Sequence, residues 1–167
     1  MVSLGSKEQG VSLIELMVTI TILSILVLAG TSLTGLWSKQ AELDKATMSL
    51  KSAMSLGRST AIRNQSGQKM DDIVSQICFG NNKLSVHKAP KPTEPATATG
   101  PASCSSPIVF SYPLSSTIEI KDTNGTKFKC FAFNNFGQVM NENTGNCSNN
   151  LSLIIGNGSL NEKLTLN

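Results

Sequence analysis

A chain of 167 residues with a formal charge of +3 has room for one ordinary domain plus an appended apolar segment. The charge is mild, and Lys and Arg are scattered from Lys39 to Lys163 instead of massed, so no polyelectrolyte partner is demanded. A mean hydropathy of zero averages a very apolar front with a Gly-, Asn- and Ser-rich remainder, which predicts one small domain on a stalk.

The first element opens at Gly10-Val-Ser-Leu-Ile-Glu15. From Leu16 to Trp37 no residue is charged and none is proline, long enough as a helix to cross a hydrocarbon core about 30 Å thick. Glu15 stands at the lip of this run. A carboxylate there costs several kcal/mol unless it has a partner, and the nearest unusual cation would be a new N-terminus. A cleaved secretory signal would carry a basic start and an apolar stretch of about 7–15 residues. Here the run is longer, and an acid stands where such a signal would carry Lys or Arg. A plain single-span anchor would gain nothing from Glu15.

The helix is expected to continue beyond Trp37. Ala46, Leu50, Ala53, Met54, Gly57 and Ala61 form one narrow stripe on a 3.6-residue period, and Lys45, Lys51, Arg58 and Arg63 fall off it. A helix from Ser12 to about Asn64 would be about 75 Å long, with an exposed front half and a rear half docked on a sheet. The polar tract Asn64-Gln-Ser-Gly67 ends it with turn chemistry.

Downstream, short β-rich runs bounded by Asn, Gly and Pro predict strands over 73–79, 83–86, 108–112, 117–121, 127–133, 151–155 and 163–166. The fold class is therefore α+β, a long helix on an antiparallel β head. A three-residue loop, Thr123 to Gly125, sets Ile120 opposite Phe128 and Glu119 opposite Lys129, with Gly125 left-handed at a bulge. Between Lys88 and Pro107 the chain is rich in Pro, Ala, Thr and Ser and reads as a surface loop. His87 has no acid or nucleophile patterned to it and reads as a solvated strand residue.

All four cysteines, Cys78, Cys104, Cys130 and Cys147, lie in the head, and none forms a Cys-X-X-Cys pair, which argues against zinc. With the head outside the cytoplasm, the even count predicts two disulfides. Three connectivities are possible. Cys78 with Cys104 and Cys130 with Cys147 is the expected one, since it staples the long loop at its base and ties the Gly/Asn-rich turn to its strand. No catalytic constellation, phosphate-binding loop, metal site or cofactor motif is visible, and the chain reads as a non-enzyme.

The front of the chain resembles the leader of type IV pilins and type II secretion pseudopilins, in which a polar leader ends in Gly and the fifth mature residue is Glu. That resemblance implies a leader at 1–10, cleavage by a prepilin peptidase between Gly10 and Val11, N-methylation of Val11, and Glu15 at mature position five. It further implies that Glu15 pairs with the Val11 amine of a neighbouring subunit and so sets the register of the helices. Val11 replaces the more usual Phe or Met, and no proline stands near Ser32, where major pilins often kink. Residues Leu50 to Asn64, with Ala53, Arg58, Ala61, Ile62 and Arg63, and Phe131-Ala-Phe133-Asn-Asn-Phe-Gly137 are similar to the head signature of the FimU, FimT and GspH group. The site shows Leu56-Gly57-Arg58 where Ala-Arg is usual.

The implied organisation is a membrane and assembly half of the helix at 11–37, an amphipathic rear half at 38–65, and a periplasmic β-rich head at 66–167 carrying loop 88–107. The implied role is that of a minor pilin, anchored by a single pass in the inner membrane and then assembled into a surface pilus with minor and major pilins through the N-terminal helix. There it would help prime assembly near the fibre tip and support twitching motility and adhesion. Two alternatives are a FimT-like DNA-binding pilin for natural transformation, with Lys121, Lys127 and Lys129 as contacts, and a GspH-like type II secretion pseudopilin. Only Lys163 is basic from Asn141 onward, which weighs against DNA.

Overall fold

The computed structural model describes residues 10–91, 100–140 and 147–166. It resolves into two compact units, one ending at Ser38 and the other starting at Lys39. A single helix, α1 (Leu13–Arg63), supplies elements to both. In the first unit the apolar side chains described from Val11 to Leu28 are all exposed.

In the second unit the rear of α1 buries Ala46, Leu50, Ala53, Met54, Gly57 and Ala61, the whole expected stripe, and adds Leu43 and Thr47. Lys45, Lys51 and Arg63 stay exposed, and Arg58 is half-buried. Asn64 ends the helix with φ 36°, its Nδ2 donating to the Gln68 carbonyl and its Oδ1 accepting from the Gln68 N–H. Asn tolerates this left-handed position because its short polar side chain bonds locally.

Seven strands follow: β1 (Ser75–Gly80), β2 (Lys83–Lys88), β3 (Ile108–Pro113), β4 (Ile118–Asp122), β5 (Cys130–Phe133), β6 (Ser152–Asn157) and β7 (Leu160–Thr165). They form a four-stranded sheet in the order β3-β2-β1-β5 and a three-stranded sheet in the order β4-β6-β7. Every named pairing is antiparallel. The last strand starts three residues before the expected Lys163, because Gly158 (φ 65°) allows a two-residue turn that pairs Asn157 with Leu160.

The helix meets the larger sheet at Gly57. The Ser75 hydroxyl donates to the Gly57 carbonyl at 2.7 Å, and a Cβ at position 57 would lie 3.0 Å from the Phe133 ring and 3.2 Å from Ile77. Ser75 and Phe133 face each other across β1 and β5, so the contact seats α1 on the middle of the sheet. Around it Leu50, Ile77, Leu84, Val86, Phe131 and Phe133 are fully buried, each worth about 1.5–3 kcal/mol relative to exposure.

The opposite face of the same sheet is also covered. Side chains alternate along a strand, so Ile77 facing the helix turns Cys78 outward, and Cys78 stands directly across from Cys130. Cys78 bonds to Cys104 and Cys130 to Cys147, closing loops with sequence separations of 26 and 17. Each closure contributes about 3 kcal/mol in the chain-entropy model. Together they hold a second apolar cluster of Ile73, Ala89, Ala102, Ala132, Cys78, Cys130 and Cys147.

Two expectations need correction. The Thr123–Gly125 loop forms as expected, with Gly125 at φ 83°, Lys121 bridged to Lys127, and the Phe128 N–H donating to Ile120. Glu119 does not meet Lys129, because at that residue the chain leaves for the other sheet: the Lys129 carbonyl accepts from Phe79 and β5 pairs with β1. The 88–107 segment is not a free surface loop at its ends. Lys88 belongs to β2, Ala89 donates to Val74, and Ala102 donates to Ile73, with both alanines buried; residues 92–99 lie outside the described residues.

Gly57→Leu should lower stability by about 1–3 kcal/mol through overpacking against Phe133 and Ile77. Chemical denaturation checks this, with Gly80→Ala as a control at a position where an added Cβ meets nothing within 4 Å.

Candidate functional site

Gly10 and Val11 precede α1 as exposed irregular backbone. A Cβ at Gly10 would meet nothing within 4 Å, so nothing in the described fold requires glycine there. The other residues of the expected leader, 1–9, lie outside the described residues.

Glu15 sits in the first turn of α1, where its Oε2 accepts the Ser12 N–H at 2.9 Å. Leu16 closes the first helical turn on the Ser12 carbonyl. Ser12 is thus the N-cap and Glu15 the third helical residue, the spacing of a capping box in which the acid reaches back to an orphan donor. Its negative charge also complements the positive end of the helix. The Ser12-Leu-Ile-Glu15 pattern was readable in the sequence as Ser-X-X-Glu before an apolar run. It identifies a local role for Glu15 that the membrane argument alone passes over.

In the head, Lys121 and Lys127 act on one acid, Glu119, while Lys129 shares a cleft with it. Lys121 pairs with Glu119 on the same face of β4, while Lys127 and Lys129 line a cleft with Glu119, Phe79, Asn82 and Phe128. The Lys121 hydrogen bond, then its charge, and more weakly Lys127, hold the Glu119 carboxyl below the usual carboxylate range. The group is fully exposed, so the effect is one of local charge and not of stability.

His87 corrects the expectation of a solvated residue: it is 3% exposed. Its Nδ1–H donates to the Ser106 carbonyl at 2.7 Å, and its Nε2 lies within hydrogen-bond distance of the Ser85 hydroxyl at 2.8 Å. The imidazole ties β2 to the segment carrying Cys104. Among the described residues, the ring nitrogens of His87 bond to Ser85 and Ser106 and to no carboxylate. Among the described residues, no group of three His, Cys, Asp or Glu side chains could hold a metal ion.

The segments 50–64 and 131–137 converge. Gly57 lies against Phe133, and a Cβ at Gly137 (φ 73°) would meet Ile62 at 3.1 Å and the Arg58 carbonyl at 3.4 Å. Asn134 closes the turn before Gly137, its Oδ1 accepting from the Phe136 and Gln138 amides.

Among the described residues, no helix is long and apolar enough to cross a membrane. The side chains described without a break end at Leu28, and the uncharged run of the sequence continues past them to Trp37.

The Glu119 carboxyl should titrate below the usual range, and Lys121→Ala should move its midpoint up. Carboxyl NMR titration follows the midpoint in both proteins.

No curated protein and no solved structure matches the chain. Residues 5–31 match the model of the prokaryotic N-terminal methylation motif. By that match the chain is similar to type IV pilin-like prepilins, structural proteins whose motif implies processing by a prepilin peptidase and assembly with other pilins.

Proposed function

We propose that this protein is a minor pilin of a type IV pilus, held in the inner membrane with its head in the periplasm before assembly, and helping to prime the fibre near its tip. The observation that carries this reading is the methylation motif at 5–31, with Glu15 five residues after Gly10 at the opening of an uncharged run. The separation of duties along α1 supports it: apolar side chains exposed in front and a stripe buried in the head behind. An apolar front of this kind is covered by lipid before assembly and by neighbouring helices after it. Cleavage between Gly10 and Val11 creates the amine that is methylated and that pairs with Glu15 of an adjacent subunit.

The cleft bearing Lys127 and Lys129 keeps the DNA-binding pilin as a second reading, and the type II secretion pseudopilin as a third. Deleting the gene and scoring pili, twitching, DNA uptake and protein secretion in one strain separates them. Joint loss of pili and twitching is the expected result. Normal pili with lost uptake would transfer the protein to the DNA reading, and a secretion defect alone to the type II machine.

The capping box complicates a simple Glu15 deletion, since Glu15→Val removes both the cap and the charge. Glu15→Gln keeps a side chain able to accept the Ser12 N–H and removes only the charge. Both variants should be processed normally and incorporated poorly; normal incorporation of Glu15→Gln, measured in sheared pili, would remove the charge-pair argument. Gly10→Ala should leave the leader uncut.

A further inference from the structure

The sheet edges of the head are not treated alike. The outer edge of β5 is covered by its own chain, with Val139 bridged to Phe133, Met140 donating to Ala132 and Ser148 donating to Cys130. The outer edge of β4 is covered by the Lys121–Lys127 bridge and the Phe128 amide on Ile120. The outer strand β7 carries Glu162 and Lys163, charges of the kind that discourage strand addition. The outer edge of β3 has no covering strand among the described residues, and its sequence Ile-Val-Phe-Ser-Tyr-Pro holds no charge. Ile108 is 55% and Phe110 52% exposed, against fully buried Val86 beside them.

The surroundings of this edge state what would fit it. A bulge at Val109 breaks the alternation of β3, so Ile108 and Val109 both line a groove at the end of α1 with Val74, Arg63 and Lys88. Among the described residues, no carboxylate lines that groove. At the far end of the strand, exposed Lys83 pairs with Pro113. The uncovered run is thus short, Phe110 to Tyr112, stiffened by the edge-to-face contact of its two rings at 4.7 Å and flanked by cations at both ends.

We propose that β3 is a docking edge for an extended, acid-flanked strand of another polypeptide, which adds to the four-stranded sheet beside Phe110–Tyr112 and places an acidic end against Arg63 and Lys88. Backbone pairing supplies the affinity, the groove takes one apolar side chain, and the cations set direction. This does not depend on the pilus assignment.

The test uses the full chain in detergent micelles and two synthetic decapeptides with the same alternating valine–threonine centre, one ended with aspartate and glutamate and the other with lysine. The acid-ended peptide should slow amide exchange across Ile108–Tyr112 and leave β7 unchanged. Phe110→Lys, Val109→Lys and the Arg63→Glu/Lys88→Glu double variant should each weaken its binding about tenfold, with unaltered exchange in β1 showing that the head is folded. Equal protection by the lysine-ended peptide would overturn the proposal as mere apolar adhesion. Displacement of the acidic peptide by short duplex DNA would reassign the cations to a nucleic acid, and concentration-dependent protection without peptide would reassign the edge to a second copy.

Discussion

The approach of the α1 backbone to the central strand at Gly57 is the constraint on which the head depends. The Ser75 hydroxyl reaches the Gly57 carbonyl only because no side chain intervenes, and Phe133 and Ile77 fill the space a Cβ would claim. Ser75 begins β1, which pairs with β2 on one side and β5 on the other. Fixing that residue on the helix therefore fixes the register of three strands relative to one element. A second close approach, Gly137 against Ile62 and the Arg58 carbonyl, holds the turn after β5 to the last turns of the same helix. Segments 50–64 and 131–137 meet at both places, so their joint presence has a steric reason.

A helix covers one face of a sheet only. With aromatic residues at 5% of the chain, the head has few large side chains for the other face, and it closes that face covalently. Cys78 and Cys130, neighbours across β1 and β5, each pin a different stretch of irregular chain over alanines and Ile73. Small side chains let those stretches lie close, and His87 and Gln76 bond into them from the sheet. Small extracellular domains with thin cores are the setting in which such staples matter most.

The legible parts of the sequence were those set by periodicity and by turn chemistry. The α1 stripe from Ala46 to Ala61, the strand positions and the Gly125 turn follow from local rules that tertiary contacts reinforce. The departure of the chain at Lys129 was not readable, because a hairpin register predicts pairs until something competes, and the competitor, β1, lies far away in sequence. His87 was misjudged for a related reason: alternation told that it shares a face with Ser85, but the cover over that face comes from the segment that Cys104 pins. The capping box at Ser12 was legible and went unread because the apolar run dominated the interpretation of Glu15. The proposed cleavage and methylation at Gly10 and Val11 rest on the motif and not on any contact in the chain, since neither residue is buried.

The capping contact changes what an assembly can gain from Glu15. An acid at the start of an apolar helix has a desolvation cost, but here one of its oxygens already accepts a backbone N–H and its charge opposes the helix dipole, together worth about 1 kcal/mol. The carboxylate is therefore partly compensated in the single chain. In the proposed pairing, a neighbour's amine would add only the difference between this state and a paired one. A glutamine would serve the cap as well, so the cap does not explain why the side chain is an acid. Under the proposed cleavage after Gly10, what would remain for the charge is to meet the amine that the cut creates.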